Sequence, residues 1–79
     1  MSIEERRLIR CFQAVFEGLS PEDAAAASTE TIDRWDSLHA IVLIAVLEEE
    51  FEIRIPAHAY PALRSYDSVR DYLHTAVKG

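Results

Sequence analysis

Apolar residues recur at spacings of three and four over the first stretch of the chain, which predicts an amphipathic helix from about Ile3 to Gly18. Ser2 and Glu5 have the spacing of a capping box, and Gly18 is a suitable C-terminal stop. The apolar side of this stretch consists of Leu8, Cys11, Phe12, Val15 and Leu19. Because Cys11 shares that side, we interpret it as a small core side chain.

The strongest helical segment in the chain begins at Ser37 and ends near Phe51. It is too long for a strand, and it contains neither glycine nor proline. Asp36 suits the N-cap, because its carboxylate can accept hydrogen bonds from the free N–H groups of the first turn and the helix dipole favours its charge. Ser37 is then the first helical residue, with its hydroxyl at the tip of a rigid element where a modifying enzyme can reach it.

The connection between these two helices, Leu19 to Asp36, is longer than the usual loop in a compact domain. Ser20 followed by a proline predicts a short helix from Glu22 to Ala27, and no regular structure is predicted after it. Ile32 and Trp35 are expected to anchor the loop to the core, and a partner contact is the alternative role for Trp35.

The chain after the second long helix is predicted to be extended at first. Residues 52–55 alternate like a strand but have no pairing partner, so we expect a connector whose isoleucines fill the core. Pro56 and Pro61 limit any helix between them to about a single turn.

A last helix is predicted from about Ser68 to Val77, with Asp67 or Ser68 as its N-cap. Its apolar stripe consists of Val69, Tyr72, Leu73 and Ala76. Together these segments predict a single all-α domain over residues 1–79. We expect a small bundle of three main helices and one or two short helices, with a long loop between the first two main helices.

The chain carries a net charge of −6, and much of it lies where the second long helix ends. Four glutamates between residues 48 and 52 are balanced only by Arg54. Such an acidic surface disfavours nucleic acid and anionic lipid and favours proteins with basic patches, although a solvated helix end that aids solubility is the alternative. The single cysteine excludes an internal disulfide and a cysteine-rich zinc site.

Nothing in the sequence predicts a catalytic centre or a metal site. The three histidines, His39, His58 and His74, are scattered, and His39 is about 200° around the helix from Ser37. With only two glycines, the chain has no phosphate-binding loop. The longest apolar run, residues 40–47, is far too short to span a bilayer, and the N-terminus lacks the order of a secretory signal. We therefore expect a cytoplasmic protein that is not an enzyme and does not insert into the membrane.

The motif Asp36-Ser37-Leu38 is followed by the apolar helix, by Leu47-Glu-Glu-Glu-Phe51 and by Ile53-x-Ile55-Pro56. In this order and spacing, with a leading helix and a long loop before it, the chain resembles the acyl carrier protein family over nearly its whole length. The resemblance implies that Ser37 is esterified with 4′-phosphopantetheine, which a separate Mg²⁺-dependent phosphopantetheinyl transferase takes from coenzyme A. The terminal thiol of that arm then carries an acyl group as a thioester.

The resemblance also implies roles for the residues around the serine. Asp36 lies near the metal during transfer, and Leu38 is an exposed apolar contact for partner enzymes. Glu48 and Glu49 are expected to meet basic patches on partners, with Glu50 as a further candidate. The side chains expected to face the bundle interior are Ile41, Leu43, Ile44, Leu47 and Phe51.

The chain departs from the family at several positions on the same helix. Carriers of fatty-acid synthesis usually have acidic residues where this chain has His39 and Val42, and Val46 falls on the face that is expected to point outward. Residues 33–35 replace the commoner glycine-containing approach to the serine. We therefore hypothesise a specialised carrier whose partners bind Val42 and Val46 through apolar contacts.

The expected function is that of a stand-alone, monomeric carrier that moves acyl groups between enzymes of fatty-acid, lipid or secondary-metabolite biosynthesis. Its expected partners are the transferase, an acyl- or aminoacyl-loading ligase and a downstream acyltransferase or synthase. An aminoacyl or peptidyl carrier that serves an adenylating ligase is the alternative within the same chemistry. A helical interaction module that is never modified is the alternative from another class.

Overall fold

Residues 3–78 are described by a computed structural model, with side chains described for residues 4–76. The elements in chain order are α1 (Ile3–Val15), α2 (Pro21–Ala25), α3 (Ser37–Phe51), a 3₁₀ helix (Ala57–Ala62) and α4 (Tyr66–Lys78). Over this part of the chain there is no β-strand, and an isolated antiparallel bridge joins Ser28 and Ser65. The prediction of an all-α bundle with three main helices and one or two short helices is confirmed, and the described residues form two short helices. Ser2, half of the predicted capping box, lies outside the described residues.

The first helix ends at Val15, earlier than predicted, because the chain turns before it reaches Gly18. Gly18 has a left-handed φ of +87°, which glycine adopts without the penalty of a Cβ atom, so it marks the end of the helical region as predicted. The predicted short helix follows. At the start of α2, Ser20 Oγ accepts a hydrogen bond of 3.1 Å from the Asp23 N–H. The helix ends at Ala25 rather than at Ala27.

Aromatic rings from three separate segments meet in the centre of the core. Phe12 lies 5.5 Å, between ring centroids, from both Trp35 and Tyr66, and Phe16 also lies 5.5 Å from Trp35. Ile32 is buried as well, so the predicted anchoring of the long loop by Ile32 and Trp35 is confirmed. These contacts fix the end of the loop that leads into α3.

Cys11 is buried on the inner side of α1, as predicted. Burial, with a smaller contribution from the negative charge of Glu50, raises the pKa of its thiol to about 11. The thiol is therefore neutral at physiological pH. A buried neutral thiol is a poor nucleophile, so Cys11 is a packing group of the core.

The third helix turns Leu43, Ile44 and Leu47 into the core, as expected, but Ile41 is 57% exposed. The expectation that Ile41 faces the interior was wrong, because Ile41 lies two residues before Leu43, about 200° around the helix axis. Val46 was expected to face outward and is instead half-buried against the core. It lies only about 100° from Leu47, at the margin of the buried side.

Residues 53–56, after α3, have no regular secondary structure, and the isoleucines of this connector contribute to the core, as predicted. Glu52, the first residue of the segment that was predicted to be extended, is instead the C-cap of α3 in a left-handed conformation, with φ +53°. Ile55 is buried, and the half-buried Ile53 packs against the core. The following 3₁₀ helix is longer than the single turn that was predicted, and Pro61 lies within it. Proline lacks only the N–H that it would donate, and the turn continues because the Leu63 N–H donates to the Tyr60 carbonyl at 3.0 Å.

The last helix begins at Tyr66, earlier than predicted, and neither Asp67 nor Ser68 is its N-cap. Ser65 Oγ accepts from the Ser68 N–H at 3.1 Å, and Ser68 Oγ accepts in return from the Ser65 N–H at 3.1 Å. This reciprocal pair has the geometry of a capping box. The predicted apolar stripe of α4 is confirmed, since its members at positions 69 and 73 are buried and those at 72 and 76 are half-buried.

Candidate functional site

Ser37 is the first residue of α3 and is exposed. The preceding Asp36 is the N-cap, as predicted. Its Oδ1 accepts from the His39 N–H at 2.9 Å, and its carbonyl oxygen accepts from the Ala40 N–H at 2.9 Å. The backbone N–H of His39, and after it the His39 side chain, lower the pKa of the Asp36 carboxyl group. Asp36 is therefore ionised at neutral pH beside the serine.

The segment before Ser37 is held in place by side chains rather than by regular secondary structure. Trp35 is buried, and its backbone N–H donates to the Ile32 carbonyl at 3.0 Å. Arg34 Nη2 donates to the Glu17 carbonyl at 2.9 Å, which ties the same segment to the end of the first helical region. The serine therefore stands on a backbone that is fixed by a buried tryptophan before it and by the N-cap bonds after it.

His39 makes a contact that sequence reasoning missed. Its Nδ1 lies 2.9 Å from Asp36 Oδ1, and its ring stacks on Phe16 with the centroids 5.8 Å apart. The available signal was the spacing of three residues from the N-cap to His39, which places side chains next to each other on a helix. Both of these bonds from His39 end on Asp36 Oδ1.

A shallow, open depression of about 460 Å³ lies beside Ser37. Its walls come from the loop before α3, from the start of α3, from the 3₁₀ helix and from the loop that follows the 3₁₀ helix. They include Trp35, Ala40, Tyr60, Pro61 and Arg64. Sequence reasoning did not connect these segments, because they are far apart in the chain. The serine therefore has open space beside it and a firm helix start beneath it.

The outward face of α3 carries three exposed apolar side chains, here called the apolar strip: Leu38, Ile41 and Val42. They are 66%, 57% and 42% exposed. Leu38 and Val42 were predicted as partner contacts, and both are accessible. Sequence reasoning missed Ile41, although its spacing of three residues from Leu38 places the two on one face of a helix. Val46 does not belong to the strip, because it is half-buried against the core.

The glutamates at the end of α3 are not equivalent. Glu48 Oε2 accepts from the Ile55 N–H at 2.8 Å, so this half-buried side chain holds the connector rather than being freely presented to a partner. Glu50 Oε2 accepts from Arg7 Nε at 2.7 Å, which pairs α3 with α1. Within the described part of the chain, Glu49 is exposed and has no polar partner. Of the acidic residues that were predicted to meet partners, Glu49 is thus the accessible one.

Comparisons of the chain with models of protein families, with curated proteins and with solved structures found no match. Within residues 3–78, no helix combines the length and the apolar character that are needed to cross a membrane. The interpretation of the site therefore rests on its geometry and on the residues that resemble those of carrier proteins.

Proposed function

We propose that this chain is an acyl carrier protein whose Ser37 bears 4′-phosphopantetheine. In this proposal it delivers acyl groups between cytoplasmic enzymes of fatty-acid, lipid or secondary-metabolite biosynthesis. The observation that supports the proposal is the exposed Ser37 at the first position of α3, directly after the buried Trp35 and the N-cap Asp36. A carrier needs no catalytic residues of its own, because a separate transferase supplies the base and the metal ion. It needs a hydroxyl group that is accessible and held in a defined place.

The residues around Ser37 fit a phosphodiester-linked arm. The depression beside the serine leaves room for the part of the arm that is nearest to it. The N-terminus of α3 favours a negatively charged group, since its free N–H groups and the helix dipole both attract anions. When attached, the group supplies a thiol that carries an acyl chain as a thioester.

Attachment requires Ser37 Oγ to form a bond to the pantetheine-side phosphorus of coenzyme A. The hydroxyl proton passes to a base of the transferase, and adenosine 3′,5′-bisphosphate leaves. His39 is not that base in this proposal, because it lies about 200° around the helix axis from Ser37 and its ring stacks on Phe16. The Asp36 carboxylate is exposed, and its bonds from His39 both end on Oδ1, so Oδ2 is the oxygen that we assign to the Mg²⁺ ion of the transferase; carboxylate oxygen is a ligand that Mg²⁺ prefers.

The proposed partners are the transferase, a loading ligase and a downstream acyltransferase or synthase, and we assign the apolar strip to them as a common docking surface. The strip begins at Leu38, directly after Ser37, so a partner that binds it brings its own active site close to the attached arm. Apolar contacts of this kind depend weakly on salt, whereas Glu49 steers the encounter by its charge. An aminoacyl or peptidyl carrier uses the same serine with a different cargo.

The apolar strip also favours a second candidate function, which is a helical interaction module that binds a partner through α3 and is never modified. Exposed apolar patches mark interaction surfaces whether or not a cofactor is attached nearby. The two candidate functions differ in whether Ser37 is modified with phosphopantetheine.

Incubation with coenzyme A and a broad-specificity phosphopantetheinyl transferase distinguishes the two functions. We expect the intact mass of the wild type to increase by one phosphopantetheinyl group and the mass of Ser37→Ala to stay unchanged. Ser20→Ala is the matched control, because Ser20 also stands at a helix N-terminus, and it should be modified like the wild type. A wild-type protein that is folded by circular dichroism and gains no mass contradicts the carrier function and leaves the interaction module.

A further inference from the structure

Arg64 lines the depression beside Ser37 from the loop between the 3₁₀ helix and α4. Its backbone is held on both sides. The Arg64 N–H donates to Ser68 Oγ at 3.1 Å, and the Arg64 carbonyl accepts from the Thr29 N–H at 2.9 Å. The arginine is therefore anchored at a defined place next to the proposed attachment point.

Among the described residues, Arg64 is exposed and forms no ion pair with a carboxylate. Arg7 and Arg70, by contrast, both pair with acidic neighbours. A guanidinium group is well suited to a phosphate, because its planar fork donates two parallel hydrogen bonds to phosphate oxygens. The depression is thus lined by a residue of the type that recognises phosphodiesters.

A phosphodiester on Ser37 brings a negative charge close to Asp36, which also lines the depression. Like charges at short range disfavour each other, and the two bonds from His39 to Asp36 Oδ1 offset only part of that repulsion. An arginine in the same depression attracts the phosphodiester and reduces the remaining repulsion. Arg64 is therefore the residue of the lining whose charge is complementary to an attached phosphate.

The apolar part of the depression suits the portion of the arm that follows the phosphate. That portion is a branched carbon with two methyl groups, and its transfer out of water is favourable. Tyr60 and Pro61, both exposed on the 3₁₀ helix, offer a ring and a proline surface in the same depression as Arg64. A basic residue and apolar surface thus line the same depression beside Ser37.

We propose that Arg64 and Tyr60 form a seat for the near end of the arm, in which Arg64 binds the phosphodiester and Tyr60 packs against the dimethyl group. The seat rests on the proposed carrier function and goes beyond it, since attachment of the arm requires neither residue. It holds the arm near the start of α3, beside the apolar strip, until a partner draws it away.

The test uses protein that has been modified to completion, as judged by intact mass. In the wild type we expect nuclear Overhauser contacts between the dimethyl protons of the arm and the Tyr60 ring. In Arg64→Gln the ratio of seated to free arm, measured from these contacts, should fall about fivefold, which is the scale of one exposed ion pair. Arg64→Lys keeps the charge but loses the fork, so its ratio should lie between the two. Arg54→Gln removes an exposed arginine outside the depression and should match the wild type.

Amide NMR spectra of each variant verify that the fold is retained. A salt titration of the wild type provides a test without substitution, since the contacts between the arm and Tyr60 should weaken as salt screens the ion pair. Complete modification without contacts to Tyr60 overturns the seat and leaves the proposed function standing. Equal contacts in the wild type and Arg64→Gln, or contacts that are insensitive to salt, overturn the role of Arg64. A folded wild type that accepts no arm overturns the proposed function and the seat with it.

Discussion

Leu47→Ala is expected to lower the free energy of unfolding by about 3 kcal/mol, whereas Leu38→Ala is expected to change it by less than about 0.5 kcal/mol. Leu47 is fully buried on the core side of α3, and Leu38 is 66% exposed on the other side of the same helix. Removing a buried leucine side chain loses its transfer free energy and leaves a cavity, and neither cost arises at the exposed position. Because a core of this size supplies only about 3–5 kcal/mol, Leu47→Ala should leave a large unfolded fraction.

Urea unfolding followed by circular dichroism measures both variants. The substitution and the helix are the same in the two proteins, so the change in helix propensity cancels when they are compared. Comparable destabilisation by Leu38→Ala and Leu47→Ala would contradict the assignment of the two faces of α3. The apolar strip would then no longer be available as a docking surface.

Asp36→Asn is expected to slow phosphopantetheinylation by between about tenfold and about a hundredfold, with little change in stability. Asparagine caps a helix about as well as aspartate, so the bond from the His39 N–H should be retained. The substitution removes the negative charge that is proposed to face the Mg²⁺ ion of the transferase. Asp36→Ala removes both the charge and the cap, so that variant should be modified slowly and should also be less stable.

The initial rate of mass gain, at fixed concentrations of coenzyme A and transferase, measures the first effect, and urea unfolding measures the second. The contribution of the cap should also depend on pH. Because folding lowers the pKa of Asp36 from its ordinary value of 3.8, the part of the stability advantage over Asp36→Ala that depends on the negative charge is present above pH 3.8 and is lost as the pH falls below it. Modification of Asp36→Asn at the wild-type rate would show that the charge has no part in the transfer.

The start of α3 was predictable because its determinants lie close together in the chain. Asp36 and the N–H groups that it caps are within one helical turn, so the position of Ser37 at the helix start follows from local chemistry alone. The anchoring of the loop by Trp35 followed from a large apolar side chain in a polar stretch. The attachment of phosphopantetheine stays a prediction, since it rests on the resemblance of these residues to carrier proteins.

Two further features that sequence reasoning missed, the roles of Glu48 and Arg64, depend on contacts between different segments of the chain. Glu48 is one of several neighbouring glutamates in the sequence, and only the bond from the Ile55 N–H distinguishes it. Arg64 reaches the depression beside Ser37 because the connector and the 3₁₀ helix lead the chain back to the start of α3. No local sequence pattern predicts either contact.

The start of α4 was misplaced for a related reason. Ser65 and Ser68 are both good capping residues, and their reciprocal bonds look the same in sequence whichever of them begins the helix. The choice is made by tertiary structure, since the Tyr66 N–H donates to the Ala27 carbonyl at 2.9 Å and the Tyr66 ring packs in the aromatic core.

The intact mass of the protein isolated from its native host tests the carrier function most directly. We predict a mass that exceeds that of the chain by one phosphopantetheinyl group, alone or acylated, and a modified peptide that contains Ser37. Hydroxylamine cleaves thioesters, so treatment with it should convert any acylated forms to the form that carries the arm alone. A preparation from cells that express the protein, in which the peptide containing Ser37 is wholly unmodified, would contradict the carrier function.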